Sequence, residues 1–113
     1  MNIKENHYIG GEWVPSTGSD TIDVISASTE EVIGRISSGT PEDVDKAVAA
    51  AKEAFQSWSQ STPEERSTIL AALSAGLAAR MDDIAESIAG EVGMPIKLSK
   101  NIQAGLPVAI MGS

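Results

Sequence analysis

Two Thr-Pro-Glu triplets, at residues 40–42 and 62–64, constrain this chain more than any other feature. Each reads as a helix start. A threonine at the N-cap satisfies an otherwise unpaired backbone N–H, and a proline at the first helical position gives up only a donor that would have no partner. An acid three residues after the cap, Asp43 in one case and Glu65 in the other, completes a capping box and meets the positive end of the helix. The residues around the triplets differ, so they are two helix starts and not a repeat.

Apolar spacing supports both helices. Val44, Ala47, Val48, Ala51, Phe55 and Trp58 make one stripe; Ile69, Leu70, Leu73, Leu77, Met81, Ile84 and Ile88 make a second. The run from Pro63 to Ala89 is long for one globular helix, and Asp82-Asp83 after Arg80 predicts a break near Arg80–Asp82. Gly90 and Gly93 close that run. Pro95 opens a third helical stretch, predicted to be interrupted or restarted at Gly105–Pro107.

Before residue 40 the pattern changes to strands. Gly10-Gly11 within "HYIGGEWV" is a hairpin turn, and the β-branched runs "TIDVIS" and "VIGRIS" flank the polar turn "ASTEE". Residues 8–38 therefore form a hairpin and strand region and residues 40–113 a helical region. Few or no parallel strands are expected, and the apolar "PVAIM" close to Ser113 suggests a truncated chain.

Composition removes several function classes. Sixteen acids against eight scattered basic residues give a net charge of −8, which leaves no positive face for nucleic acid and would be repelled by an anionic membrane. The absence of cysteine excludes disulfides, thiolate metal sites and a thiol nucleophile within these residues. The start lacks the apolar core of a secretory signal and no apolar run is long enough to span a bilayer, so the reading is cytoplasmic.

Candidate catalytic groups each have a plainer reading. His7, the one histidine, has no arranged nucleophile near it in sequence and reads as a surface residue. The glycines spell neither a dinucleotide fingerprint nor a phosphate loop. The acid pairs Glu42-Asp43, Glu64-Glu65 and Asp82-Asp83 sit at predicted helix starts, where the macrodipole explains them. No Gly-x-Ser-x-Gly elbow occurs. From the residues alone the chain is scaffolding, with no catalytic and no cofactor-binding residue assigned.

Taken in order, "YIGGEWV", "STEEVIGRI", "TPEDVDKAVAAAKEAFQSWSQSTPEERSTIL", "AALSAGLAARMDDIAESIAGEVGMP" and "QAGLPVAIMGS" resemble the N-terminal segment of the NAD(P)-dependent aldehyde dehydrogenases. The likeness runs from Tyr8 to Ser113. The sequence departs from the family at Ser26-Ala27, where Asn-Pro is usual, at Thr29-Glu30-Glu31, where Thr-Gly-Glu is usual, and at Met94, where Lys is common.

This resemblance implies an α/β fold: a Rossmann-like cofactor domain to which residues 1–113 contribute an N-terminal β-hairpin and covering helices. It implies an oxidoreductase that converts an aldehyde to a carboxylic acid with NAD or NADP through a cysteine thiohemiacetal, the catalytic Cys, Glu and Asn all lying downstream. It also implies a homo-oligomer, dimer or tetramer. By the same resemblance the carbonyls of Val24 and Ile25 and the carboxylate of Glu91 are candidates for a Na+ or K+ site, since hard cations take oxygen ligands. The alternative from the residues is a stand-alone small acidic helical interaction module without catalysis.

Overall fold

The computed structural model describes residues 2–113, which divide into two compact units. The first holds residues 2–25 and 31–60, the second residues 26–30 and 61–113.

In the first unit, β2 (Asn6–Ile9) and β3 (Glu12–Pro15) pair antiparallel, with Tyr8 opposite Trp13. The two turn residues need positive φ, and glycines supply it: Gly10 has φ +64° and Gly11 +83°. The Tyr8 and Trp13 rings lie 5.1 Å apart between centroids. A second sheet has the order β1 (Asn2–Lys4), β5 (Val32–Ser37), β4 (Thr21–Ile25). β4 and β5 are the expected antiparallel pair, with a register shift between Val24 and Ile25. β1 extends the strand region back to Asn2 and pairs parallel to β5, the one parallel ladder among the described residues. Gly34 sits at the tight point of that sheet. A Cβ there would lie 2.9 Å from the Asn2 carbonyl oxygen.

Helix α1 (Pro41–Trp58) completes the unit. Its capping box is formed: Asp43 N–H donates to Thr40 Oγ1 and the Thr40 N–H donates back to Asp43 Oδ2, both at 3.1 Å.

The second unit is helical. α2 (Pro63–Ala79) has the same box on Thr62 and Glu65. The break falls as expected, since α2 ends at Ala79 and α3 (Met81–Val92) begins two residues on. Gly93 caps α3 with φ +75°, against Ala27 and Ser28. In the turn 26–30 the Ser26 hydroxyl accepts from the Ser28 and Thr29 amides, and Glu30 takes φ +63°. That left-handed backbone suits glycine, the residue the resemblance implies at this position.

The third helical stretch restarts at Gly105, inside the expected Gly105–Pro107 window, after a π turn and without a gap. α4 (Ile96–Leu98) runs into a π-helical segment, Ser99–Ala104, and then α5 (Gly105–Gly112) passes straight through Pro107. Proline lacks the N–H that would bond four residues back and its ring crowds that carbonyl. The wider π turn just before it changes the register and absorbs the conflict. Gly105 permits the turn, because a Cβ there would be 3.1 Å from the Lys100 carbonyl oxygen. Both ends of the π segment are buried, Ser99 at 0% and Ala104 at 1% exposure. Ser74 Oγ donates to the Val108 carbonyl at 2.8 Å and ties α2 to α5.

Neither unit encloses a core of large side chains. Among the described residues the fully buried apolar ones are Ala85 and Ala104. Leu73, expected in a core, is 46% exposed, and Phe55, Leu106 and Ile110 are more than half exposed. The two apolar stripes sit on their helices as read, but within the described residues their large side chains are at best half-buried, and Val44, Val48, Phe55, Ile69 and Leu73 stay exposed.

Candidate functional site

The densest polar cluster lies in the first unit and centres on Asp43, only 5% exposed. Its Oδ2 accepts from Ser16 Oγ at 2.5 Å and from the Thr40 amide, and its Oδ1 accepts from the Thr17 amide at 2.9 Å. The Thr17 and Thr40 hydroxyls bond to each other beside it. The Ser16 hydroxyl, then the Thr17 amide, hold the Asp43 carboxyl well below the usual carboxylate range; burial pushes the other way and the Thr40 amide adds to the lowering. Asp43 is thus a fixed negative charge, and the helix macrodipole accounts for only part of its role.

His7 joins this cluster, which corrects its reading as a surface residue. Its side chain is 29% exposed and its Nε2 is 3.5 Å from Asp43 Oδ2. That nitrogen is enclosed and makes no hydrogen bond. Ser, Asp and His therefore meet, but in the wrong order for nucleophilic catalysis. The serine proton is directed at the carboxylate, so no base stands ready to take it and turn the hydroxyl into a nucleophile.

A groove of about 680 Å³ runs between the hairpin turn and α1, lined by Tyr8, Gly10, Gly11, Ala47, Ala50 and Glu53 among others. A nicotinamide dinucleotide would need amides or cations aimed at its pyrophosphate. The groove offers alanine methyls, Ile9, the Tyr8 and Ser57 side chains, the Gly10-Gly11 turn and a carboxylate that would repel a pyrophosphate, with no cation in its lining, so the residues present do not fit that cofactor.

The residues considered for a cation fall in both units. Val24 and Ile25 end β4 in the first, and Glu91 stands near the end of α3 in the second with its side chain exposed. No group of three or more His, Asp or Glu side chains is placed to hold a metal ion among the described residues.

Fold and cluster together define a class: an α/β scaffold segment, strands leading into covering helices, with a structural polar hub and no catalytic constellation among the described residues. Comparison with known proteins supplies the family. The sequence profile of the aldehyde dehydrogenase family matches residues 13–110. The chain belongs to the aldehyde dehydrogenase family. A putative aldehyde dehydrogenase of Staphylococcus aureus (strain bovine RF122 / ET3-1) is 43% identical over 108 residues, 94% of this chain and 23% of that protein. One of Staphylococcus epidermidis is 44% identical over 101 residues, 88% of this chain and 21% of its own length. Among solved structures, the aldehyde dehydrogenase of Bartonella henselae superposes with a TM-score of 0.95 at 35% identity, covering 98% of this chain and 23% of that one. A mutant of aldehyde dehydrogenase C of Pseudomonas syringae, crystallised with NAD+ and octanal, gives 0.92 at 33% identity over 95% of this chain and 22% of that one. The chain thus spans less than a quarter of the length of these relatives.

Proposed function

We propose that this chain is the N-terminal part of the cofactor domain of an aldehyde dehydrogenase that oxidises an aldehyde to a carboxylic acid with NAD or NADP. The reactive cysteine, through whose thiohemiacetal that oxidation proceeds, belongs to the part of the protein beyond these 113 residues, which contain no cysteine. The role of this segment is to support: its hairpin, three-stranded sheet and helices present apolar faces on which that remainder packs. The observation that carries this reading is the match over nearly the whole chain to less than a quarter of each relative, combined with exposed Phe55, Leu73, Leu106 and Ile110. A self-sufficient interaction module would have little reason to leave every large apolar side chain among the described residues only partly covered.

The longer protein is further proposed to be cytoplasmic and a dimer or tetramer that holds a monovalent cation. Among the described residues no helix is long and apolar enough to cross a membrane. The test is to sequence the gene past the codon for Ser113, express the continuous reading frame, and follow absorbance of reduced nicotinamide with a panel of aldehydes. Aldehyde-dependent reduction that is lost on replacing the downstream cysteine supports the reading. A reading frame with no downstream cysteine and glutamate in such a context overturns it.

A further inference from the structure

The enclosed Nε2 of His7 is the one buried side-chain nitrogen or oxygen among the described residues without a hydrogen bond. It faces Asp43 Oδ2 at 3.5 Å, a carboxylate oxygen already given hydrogen bonds by Ser16 and Thr40. Were Nε2 bare, its lone pair would point at a fixed negative charge and stay unsatisfied, which costs the full desolvation of the group. A proton on Nε2 turns the same contact into an attractive, charge-assisted one.

Position gives this contact its consequence. His7 lies on β2 opposite Val14 of β3, and Ser16 and Thr17 follow β3 directly. Both strands of the hairpin therefore converge at their open end on Asp43, in the first turn of α1. At the closed end Gly10 lies against Ala50, where a Cβ would be 3.9 Å from the Ala50 methyl. The groove between hairpin and α1 runs from the turn along Ala47 to Ser57.

We propose that His7 and Asp43 form a clasp, with the imidazole proton carried on Nε2 and directed at Asp43 Oδ2, that pins the β2–β3 hairpin to the start of α1 and sets the width of the groove beside it. The clasp is an addition to the Ser16 and Thr17 bonds, and closing it requires the imidazole to move by only a few tenths of an ångström to reach ordinary hydrogen-bond length. His7 is a positioning residue here. Nothing in this depends on the longer protein being an aldehyde dehydrogenase.

The test uses the 113-residue chain labelled with ¹⁵N. Long-range imidazole spectra should show Nε2 protonated, with its proton visible as a resonance that exchanges slowly with water, as an enclosed donor does. Amide hydrogen exchange then reads the clasp. His7→Phe should speed exchange of the β2–β3 amides about tenfold, the loss expected for one hydrogen bond to a charged group, with α2 amides unchanged. His7→Gln places an amide nitrogen near the position of Nε2 and should keep exchange within about twofold of the parent. His7→Asn, which reaches only the position of Nδ1, should behave like His7→Phe, and this pair decides the matter should the phenylalanine variant misfold. A bare Nε2, a proton lost to fast water exchange, or equal protection in the Gln and Asn variants would overturn the clasp.

Discussion

Replacing Gly34 by alanine is the sharpest probe of the β sheet, because the structure says which strand must yield. Gly34 stands at the centre of β5, with β1 on one side and β4 on the other. The added methyl would come within 2.9 Å of the Asn2 carbonyl oxygen but only 3.7 Å from Val24 Cβ. The second distance is ordinary contact; the first is about 0.5 Å too short, a clash with backbone that cannot rotate away. Overpacking of this kind costs about 1–3 kcal/mol. β1 is three residues long, and its few ladder hydrogen bonds are worth about 1 kcal/mol each net. The cheaper response is for β1 to let go, so Gly34→Ala should raise hydrogen exchange of the Ile3 and Lys4 amides at least about tenfold and leave the β4–β5 ladder within about twofold. Retention of β1 protection, or loss of β4–β5 pairing instead, would refute the reasoning.

Thr62→Ala removes the hydroxyl that accepts from the Glu65 amide and should lower stability by about 1 kcal/mol in denaturant titration. Glu30→Gly relieves a left-handed backbone and, after the added chain entropy, should raise stability by about 0.5–1 kcal/mol by the same assay. The Asp43 carboxyl is lower in the folded than the unfolded chain, so its contribution is complete above about pH 4 and is lost as pH falls through its folded value; Asp43→Asn should flatten that acid limb in a circular dichroism titration. Leu73→Asp, at a half-exposed site, should change the 113-residue chain by no more than about 0.5 kcal/mol yet cost the longer protein about 2–4 kcal/mol. Equal effects in both would argue that no further polypeptide covers α2.

Local chemistry was readable and long-range chemistry was not. Gly10-Gly11, the two Thr-Pro-Glu starts and the Arg80 break each rest on backbone rules that act within a few residues, and the structure has all of them. The parallel β1–β5 ladder joins residues some thirty apart, and no local pattern in "NIK" signals it. The restart at Gly105 was legible from Gly105 and Pro107, but not the π turn ahead of it, which Gly105 makes room for. Asp43 was read as a helix-start acid, which it is, but its bonds to Ser16 and Thr17 span about 26 residues and could not be seen from spacing. His7 was misread for the same reason: its partner is on α1. The apolar stripes were found residue by residue, and only the structure shows that much of them remains exposed.

Dye binding by the isolated 113-residue chain tests that openness most directly. Uncovered Phe55, Leu73, Leu106 and Ile110 should give strong fluorescence of anilinonaphthalene sulfonate while circular dichroism still reports well-formed helices. A helical chain that leaves the dye dark would mean its apolar faces are already covered, and the supporting role proposed for it would be wrong.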